Sequence, residues 1–259
     1  MLTVISPAKR LDLGSVTLPG GMTPTAPAFA ADAARLARVA RRLSVDDLRK
    51  LMAISEPLAV LNRDRFRSFA DDPQADRLHP AALTFAGDTY IGLEAKTLSE
   101  DALRWAQDRL RILSGLYGLL RPLDAIQPYR LEMGSKLATA RAADLYGYWG
   151  TRLARALNAQ AKTVGTAILV NCASQEYFGA VDKSALTLRV ITPVFLEDKA
   201  GDPRIVSFFA KQARGAMARF IAENRLTDPA SIQDFDLGGY RFQPQLSDGD
   251  RWAFLRRAA

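Results

Sequence analysis

Polar side chains able to do chemistry fall into five clusters, each at the end of an apolar run. Ser6, Lys9 and Arg10 follow Leu2 to Ile5. Gly87, Asp88 and Tyr90 interrupt a second run. Tyr117, Arg121, Asp124, Tyr129 and Arg130 crowd the segment 114–130. Asn171, Ser174, Glu176 and Tyr177 follow Ala167 to Val170, and Lys211 and Arg214 come just after Phe209. Lysine and arginine hold phosphates and carboxylates. Asp88 and Glu176 are the carboxylates best placed to exchange protons with an anchored substrate. In open α/β sheets ligands sit beyond the strand ends, so the five positions point to one shared cleft. Taken singly, each cluster also fits caps and turns, and Asp88, Asp124 and Ser174 suit those roles.

Absent motifs narrow the chemistry. There is no GxxxxGK[ST] phosphate loop, no GxGxxG after a strand and no GxSxG elbow. The single histidine, His79, lies in a polar loop beside Pro80 and reads as a surface residue. One histidine excludes a His-dependent triad or a multi-His metal site within one chain. No metal site and no cofactor are therefore expected. Cys172 ends an apolar run and reads as a small core residue.

The elements that must position these residues follow from periodicity. Leu2 to Ile5 reads as a buried strand and residues 14–28 as an irregular loop. Phe29, Ala33, Leu36, Ala40 and Leu43 repeat at helical spacing. Ser44 with Asp47 predicts a capped helix start, and Ser55 with Pro57 a further helix reaching about Phe69. Leu83 to Leu93 reads as strand, turn and strand around Gly87-Asp88. Ser99 caps a helix running to about Leu113, and Asp144 opens one running to about Ala161. Ala167 to Val170 and Leu186 to Leu196 read as strands. Asp198 to Asp202 reads as a hairpin turn, 210–224 as a helix and 240–257 as a final hairpin. Helices and strands interleave without repeat or linker. The expected class is α/β, with α+β as the alternative: a mixed sheet in a single compact domain spanning 1–259.

Composition sets the surroundings. The chain has 259 residues, 48% hydrophobic and 24% charged, enough to bury a core without staples. One cysteine forms no internal disulfide, the first residues do not read as a signal peptide, and no run approaches a membrane span. A cytoplasmic protein with no membrane partner is expected. The net charge of +7 favours anionic partners. It is concentrated, for example, in Arg204, Lys211, Arg214, Arg219 and Arg225 against the lone acid Glu223 of residues 204–225.

The clusters also carry a resemblance. The runs ISPAK (5–9), GDTYIGL (87–93), LSGLYGLLRPLDAIQPYRLEMG (113–134), NCASQEYF (171–178) and VSFFAKQARG (206–215) resemble the bacterial peroxide-stress-resistance protein YaaA family. Cys172 stands where the family more often has Leu, Phe209 where Tyr is frequent, and Gln212 where Lys is frequent. The resemblance implies survival of hydrogen peroxide with lower free intracellular iron. It also implies an unusual α/β fold with a positively charged cleft, and a helix-hairpin-helix element linked to double-stranded DNA. It implies no accepted catalytic activity.

A helix-hairpin-helix binds phosphate through backbone N–H groups at the turn and the next helix start. The sequence reading places such an element at about 100–130, with Ser114, Gly115 and Gly118 in the turn and Arg111, Arg121 and Arg130 beside it. A plain glycine-rich turn fits the same residues. Two functions follow. The first is non-specific binding of double-stranded DNA, with Lys9, Arg111, Ser114, Gly115, Gly118, Arg121, Arg130, Lys211 and Arg214 as DNA or anion contacts. Ser6, Tyr90, Asp124, Tyr129, Asn171 and Ser174 then line the cleft. The second is an enzyme acting on a small anionic ligand in that cleft, with Asp88 or Glu176 as acid or base. Iron sequestration is the weakest reading, because ligands of the kind iron prefers are few.

Overall fold

The computed structural model describes residues 1–199 and 201–257. In chain order the strands are β1 (Leu2–Ile5), β2 (Arg10–Leu11), β3 (His79–Pro80), β4 (Phe85–Ala86), β5 (Leu110–Ser114) and β6 (Gly118–Leu120). They continue as β7 (Ala125–Ile126), β8 (Ile168–Cys172), β9 (Arg189–Lys199), β10 (Asp202–Arg204), β11 (Arg241–Phe242) and β12 (Arg251–Arg257). The helices are α1 (Ala30–Ala40), α2 (Val45–Met52), α3 (Glu56–Ser68), α4 (Ala81–Thr84) and α5 (Asp88–Leu93). They are followed by α6 (Glu100–Arg109), α7 (Leu145–Trp149), α8 (Arg152–Thr163), α9 (Gln175–Phe178) and α10 (Ser207–Glu223).

Eight strands form one mixed sheet in the order β11-β12-β9-β8-β1-β5-β6, with β10 on β9. The five central strands, β12 to β5, are parallel; β11 and β6 pair antiparallel at the two edges, and β10 pairs antiparallel with the end of β9. β1 is buried along its whole length, and its apolar residues suit a parallel strand covered on both faces. The chain leaves β1 towards β5 on one side and reaches β8 on the other. The ends of β1 and β8 therefore flank a reversal of strand order, where open α/β sheets bind ligands. One contiguous cluster of buried apolar residues runs from Met1 to Phe254. Among the described residues no helix is long and apolar enough to cross a membrane.

Local chemistry explains most elements. Ala33, Leu36, Ala37 and Ala40 bury one stripe of α1. Ser44 and Asp47 close the expected capping box on α2. Asp32 on α1 accepts from Tyr148 Oη at 2.7 Å and Arg152 Nη1 at 2.8 Å, tying α1 to α7 and α8. Burial pulls the Asp32 carboxyl upward. The Arg152 and Tyr148 hydrogen bonds and the nearby guanidinium charges outweigh it, and the net shift is downward.

Several sequence expectations are corrected. Residues 88–93 form a helix, not a strand, despite β-prone Thr89, Tyr90 and Ile91. Packing against α10 overrides propensity. Gly215 of α10 lies against α5, where a Cβ would sit 1.7 Å from the Thr89 carbonyl oxygen; a Cβ on Gly92 would sit 2.0 Å from that of Gln212. The helix after Ser99 stops at Arg109, and Leu110–Ser114 becomes β5 because it fills the place beside β1. The helix expected from Asp144 to Ala161 breaks at Gly150, whose φ of +47° leaves helical geometry between α7 and α8. The expected hairpin at Asp198–Asp202 joins β9 to β10, though Ala200 in its turn lies outside the described residues.

Gly215→Ala should lower unfolding stability by about 3 kcal/mol or more, because backbone atoms leave the new methyl no room. Gly165→Ala, at φ +64° with open space around it, should cost only about 1 kcal/mol. Urea unfolding of the two variants checks the contrast; equal losses would show that the α5–α10 crossing tolerates a methyl group.

Candidate functional site

The cleft forms where the turns after β1 and β8 meet. Ser6 Oγ lies 3.3 Å from Ser174 Oγ and accepts from Ser174 N at 2.9 Å. Ser174 in turn caps α9 by accepting from Tyr177 N. The short β2–β4 pair, Arg10 opposite Ala86, holds the chain after β1 against the start of α5. That pairing brings Lys9 and Asp88 to the lining of one cavity. The α5–α10 crossing then brings Lys211 Nζ to 3.8 Å from Asp88 Oδ2.

The resulting cavity measures about 370 Å³. Ser6, Lys9, Asp88, Ser174, Glu176, Lys211 and Arg214 all line it. Residues from four of the five sequence clusters thus converge, with both signs of charge. Glu176 Oε1 accepts from Gly134 N at 3.0 Å, anchoring one carboxylate at the rim. Cys172 also lines the cavity, but burial pushes its thiol up to about 12. A thiol with so little thiolate is a poor nucleophile.

Arg214 differs from the other cations. It is half-buried on α10 and makes no hydrogen bond or ion pair among the described residues. Burial lowers its pKa, opposed only by the neighbouring Cys172. Asn171 is not in this cavity. It lines an adjoining one of about 600 Å³ that Arg214 also lines.

Other expected cleft residues lie elsewhere. Tyr90 is buried and donates to Ser6 O at 3.2 Å, supporting the turn from behind. Ser114 Oγ and Tyr129 Oη are 2.6 Å apart in the core. Asp124 is buried, accepting from Arg121 and from Thr25 Oγ1 at 2.7 Å, so this pair fastens the 24–27 loop. Arg130 sits outside the cavity but reaches it through Glu132, whose Oε1 lies 2.9 Å from Arg130 and 3.4 Å from Lys9.

The phosphate-binding turn expected at 100–130 is corrected. That segment is a helix followed by an antiparallel β-hairpin, β5–β6. Its glycines face protein. A Cβ on Gly115 would sit 2.4 Å from Leu131 O, and one on Gly118 2.7 Å from the Trp149 ring. Arg111 is buried, donates to Gln107 O and Leu110 O, and its pKa is lowered to about 10 by burial and by Arg121. A turn packed in this way cannot offer its amides to a duplex.

A helical hairpin does exist at α2–α3. The joint is Ala53-Ile54-Ser55, with Ala53 left-handed at φ +50°. The joint is a small–apolar–small turn, with Ala and Ser where a glycine-rich turn would have glycines. The missing glycines hid it from the sequence reading; the Ser44 and Ser55 helix starts were the available signal. Ala53 and Ser55 are exposed, and Ser55 makes no side-chain cap. Residues 30–68 carry nine Lys or Arg against five Asp or Glu. Arg65 of α3 feels the charge of Arg130, its pKa lowered first by burial and then by that repulsion.

Glu132 was also missed by the sequence reading. Its second oxygen, Oε2, is buried without a hydrogen-bond partner, which leaves both cation contacts on Oε1.

Comparison with known proteins covers the chain. The family described as peroxide stress protein YaaA matches residues 1–246. A UPF0246 protein of Ruegeria pomeroyi is 64% identical over 99% of this chain and 98% of its own length. UPF0246 proteins of Jannaschia sp. and Roseobacter denitrificans are 63% and 61% identical, over 100% and 99% of this chain and 98% of their own lengths.

Glu132→Gln should cost about 1–3 kcal/mol in urea unfolding, since Arg130 and Lys9 lose their shared charge. Unchanged stability would show that solvent already compensates both cations.

Proposed function

The chain belongs to the peroxide stress protein YaaA family, and from that premise we propose that it supports peroxide resistance by binding double-stranded DNA without sequence preference. The observation that carries this reading is the exposed α2–α3 hairpin within a basic face. The amides of Glu56 and Leu58 at the start of α3, on either side of Pro57, which has none, and the cations of α1 and α2 suit backbone phosphates. Glu56 at the start of α3 opposes this attraction and limits affinity to what the surrounding arginines supply. The lower free iron implied by the family resemblance is read as indirect. Among the described residues no group of three or more His, Cys, Asp or Glu could hold a metal ion.

A second reading rests on the cleft. Asp88 and Glu176 line the same cavity as Lys9, Lys211 and Arg214. Binding of DNA alone gives no use for carboxylates there, whereas proton transfer to an anchored anion requires a titratable group. On this reading the protein is an enzyme acting on a small anionic substrate, with Asp88 or Glu176 as acid or base.

Duplex affinity should fall steeply with salt, with a log–log slope of about −4 to −5 for about 4–6 neutralised phosphates. Arg42 and Lys50 are exposed and make no ion pair among the described residues. Replacing both by Glu should weaken duplex binding by about tenfold or more. Salt-independent binding to a random duplex would sink the DNA reading. Asp88→Asn and Glu176→Gln should leave duplex affinity unchanged or slightly improved if DNA is the only ligand, and should abolish peroxide protection in cells if chemistry happens in the cleft. Full protection by both folded variants would count against chemistry in the cleft.

A further inference from the structure

Two cavities meet at Arg214, on either side of the end of β8. Asn171 lines the larger and its neighbour Cys172 the smaller, as successive strand residues alternate in direction. Arg214 has no acceptor among the described residues, and the buried Ala213 and Gly215 flank it on α10. A half-buried guanidinium without an acceptor is costly. Its fork is built for two oxygens of one anion, above all a phosphate. Lys211, one turn earlier, and Lys9, across the smaller cavity, add charge around the same point.

The larger cavity has a different character. Leu186, Leu188, Val190 and Ile205 give it apolar walls, and Lys183 and Arg251 add two further cations to its lining. Asn171 Oδ1 accepts from Ala173 N at 3.0 Å, which leaves its amide N–H groups without a partner among the described residues. Gln175 on the same wall makes no side-chain hydrogen bond there either. Apolar walls with a few amide groups fit a flat heterocycle that has polar edges and hydrophobic faces. About 600 Å³ is ample for such a ring with its sugar.

We propose that the paired cavities bind a mononucleotide, with its heterocycle between the apolar walls and its phosphate on Arg214 at the junction. This rests on the small-anion reading of the cleft and names its ligand class; the duplex contact on α2–α3 is separate. The larger cavity supplies shape and edge recognition, and the junction supplies charge. Asp88 and Glu176, on the smaller cavity beyond the phosphate, are the groups left to act on it.

Calorimetric titration of the full chain with AMP, GMP, CMP, UMP, inorganic phosphate and the four nucleosides tests the assignment. At least one nucleoside monophosphate should bind with a Kd below about 100 μM, and about tenfold or more tighter than both phosphate and its own nucleoside. Arg214→Met should weaken that binding by about 30-fold or more, while the urea midpoint stays level or rises. Leu188→Trp, which fills the larger cavity, should remove the preference for nucleotide over phosphate and serves if Arg214→Met fails to fold. Asp88→Asn and Glu176→Gln should still bind, so binding without any turnover would defeat the enzyme reading and leave this inference standing. No saturation by any of the four nucleotides up to about 1 mM, or unchanged affinity in folded Arg214→Met, would overturn it. Competitive displacement of the nucleotide by a duplex would also overturn it, because the site would then belong to the nucleic acid.

Discussion

The contact between α5 and α10 at Gly92 and Gly215 is the constraint on which the site depends. Neither glycine has room for a methyl group, so the two backbones approach as closely as peptide groups allow. Lys211 and Arg214 stand on one helix and Asp88 opens the other. Their separation across the cleft is therefore set by backbone against backbone, which side-chain motion cannot relax. Since α10 also packs on β1, β8 and β9, the crossing fixes the cations relative to the ends of the parallel strands.

Around this crossing, polar groups divide between support and access. Tyr90, Ser114, Tyr129, Asp124 and Arg111 spend their hydrogen bonds on protein and are buried. Ser6 and Ser174 hook the two strand-end turns together at the cavity wall. Lys9 and Lys211 each face a carboxylate. Half-buried Arg214 has no acceptor among the described residues, which leaves its guanidinium open to an anion. A site built in this way has both a rigid frame and a free charge, the combination that binding of a small anion needs. The α2–α3 face has a different design: it is made of exposed helices in which basic residues outnumber acidic ones.

The helical hairpin shows how the turn's chemistry and its residues can part company. A left-handed position ordinarily calls for glycine, yet here Ala53 holds it. Gly115 and Gly118 look like the turn of such a hairpin and instead serve close packing against Leu131 and Trp149. Glycine in a sequence records a need for small size or unusual backbone, and only the neighbours say which.

From the sequence alone, the α/β class, the mixed sheet, β1, α1, the capped starts of α2 and α3 and the C-terminal hairpin were legible. Each depends on periodicity or capping over a few residues. The family and the identity of the cleft residues Ser6, Lys9, Asp88, Ser174, Glu176, Lys211 and Arg214 were legible as well, because polar groups at strand ends stand out against apolar runs. Tertiary structure decided the rest. It turned 88–93 into a helix and 110–114 into a strand, since packing on α10 and pairing with β1 outweigh local propensity. It removed Arg121 and Asp124 from the cleft, buried Arg111 and left Arg214 without a partner among the described residues. Those outcomes depend on which segments meet across the sheet, and distances of that kind are set by long-range burial that no local pattern of residues encodes.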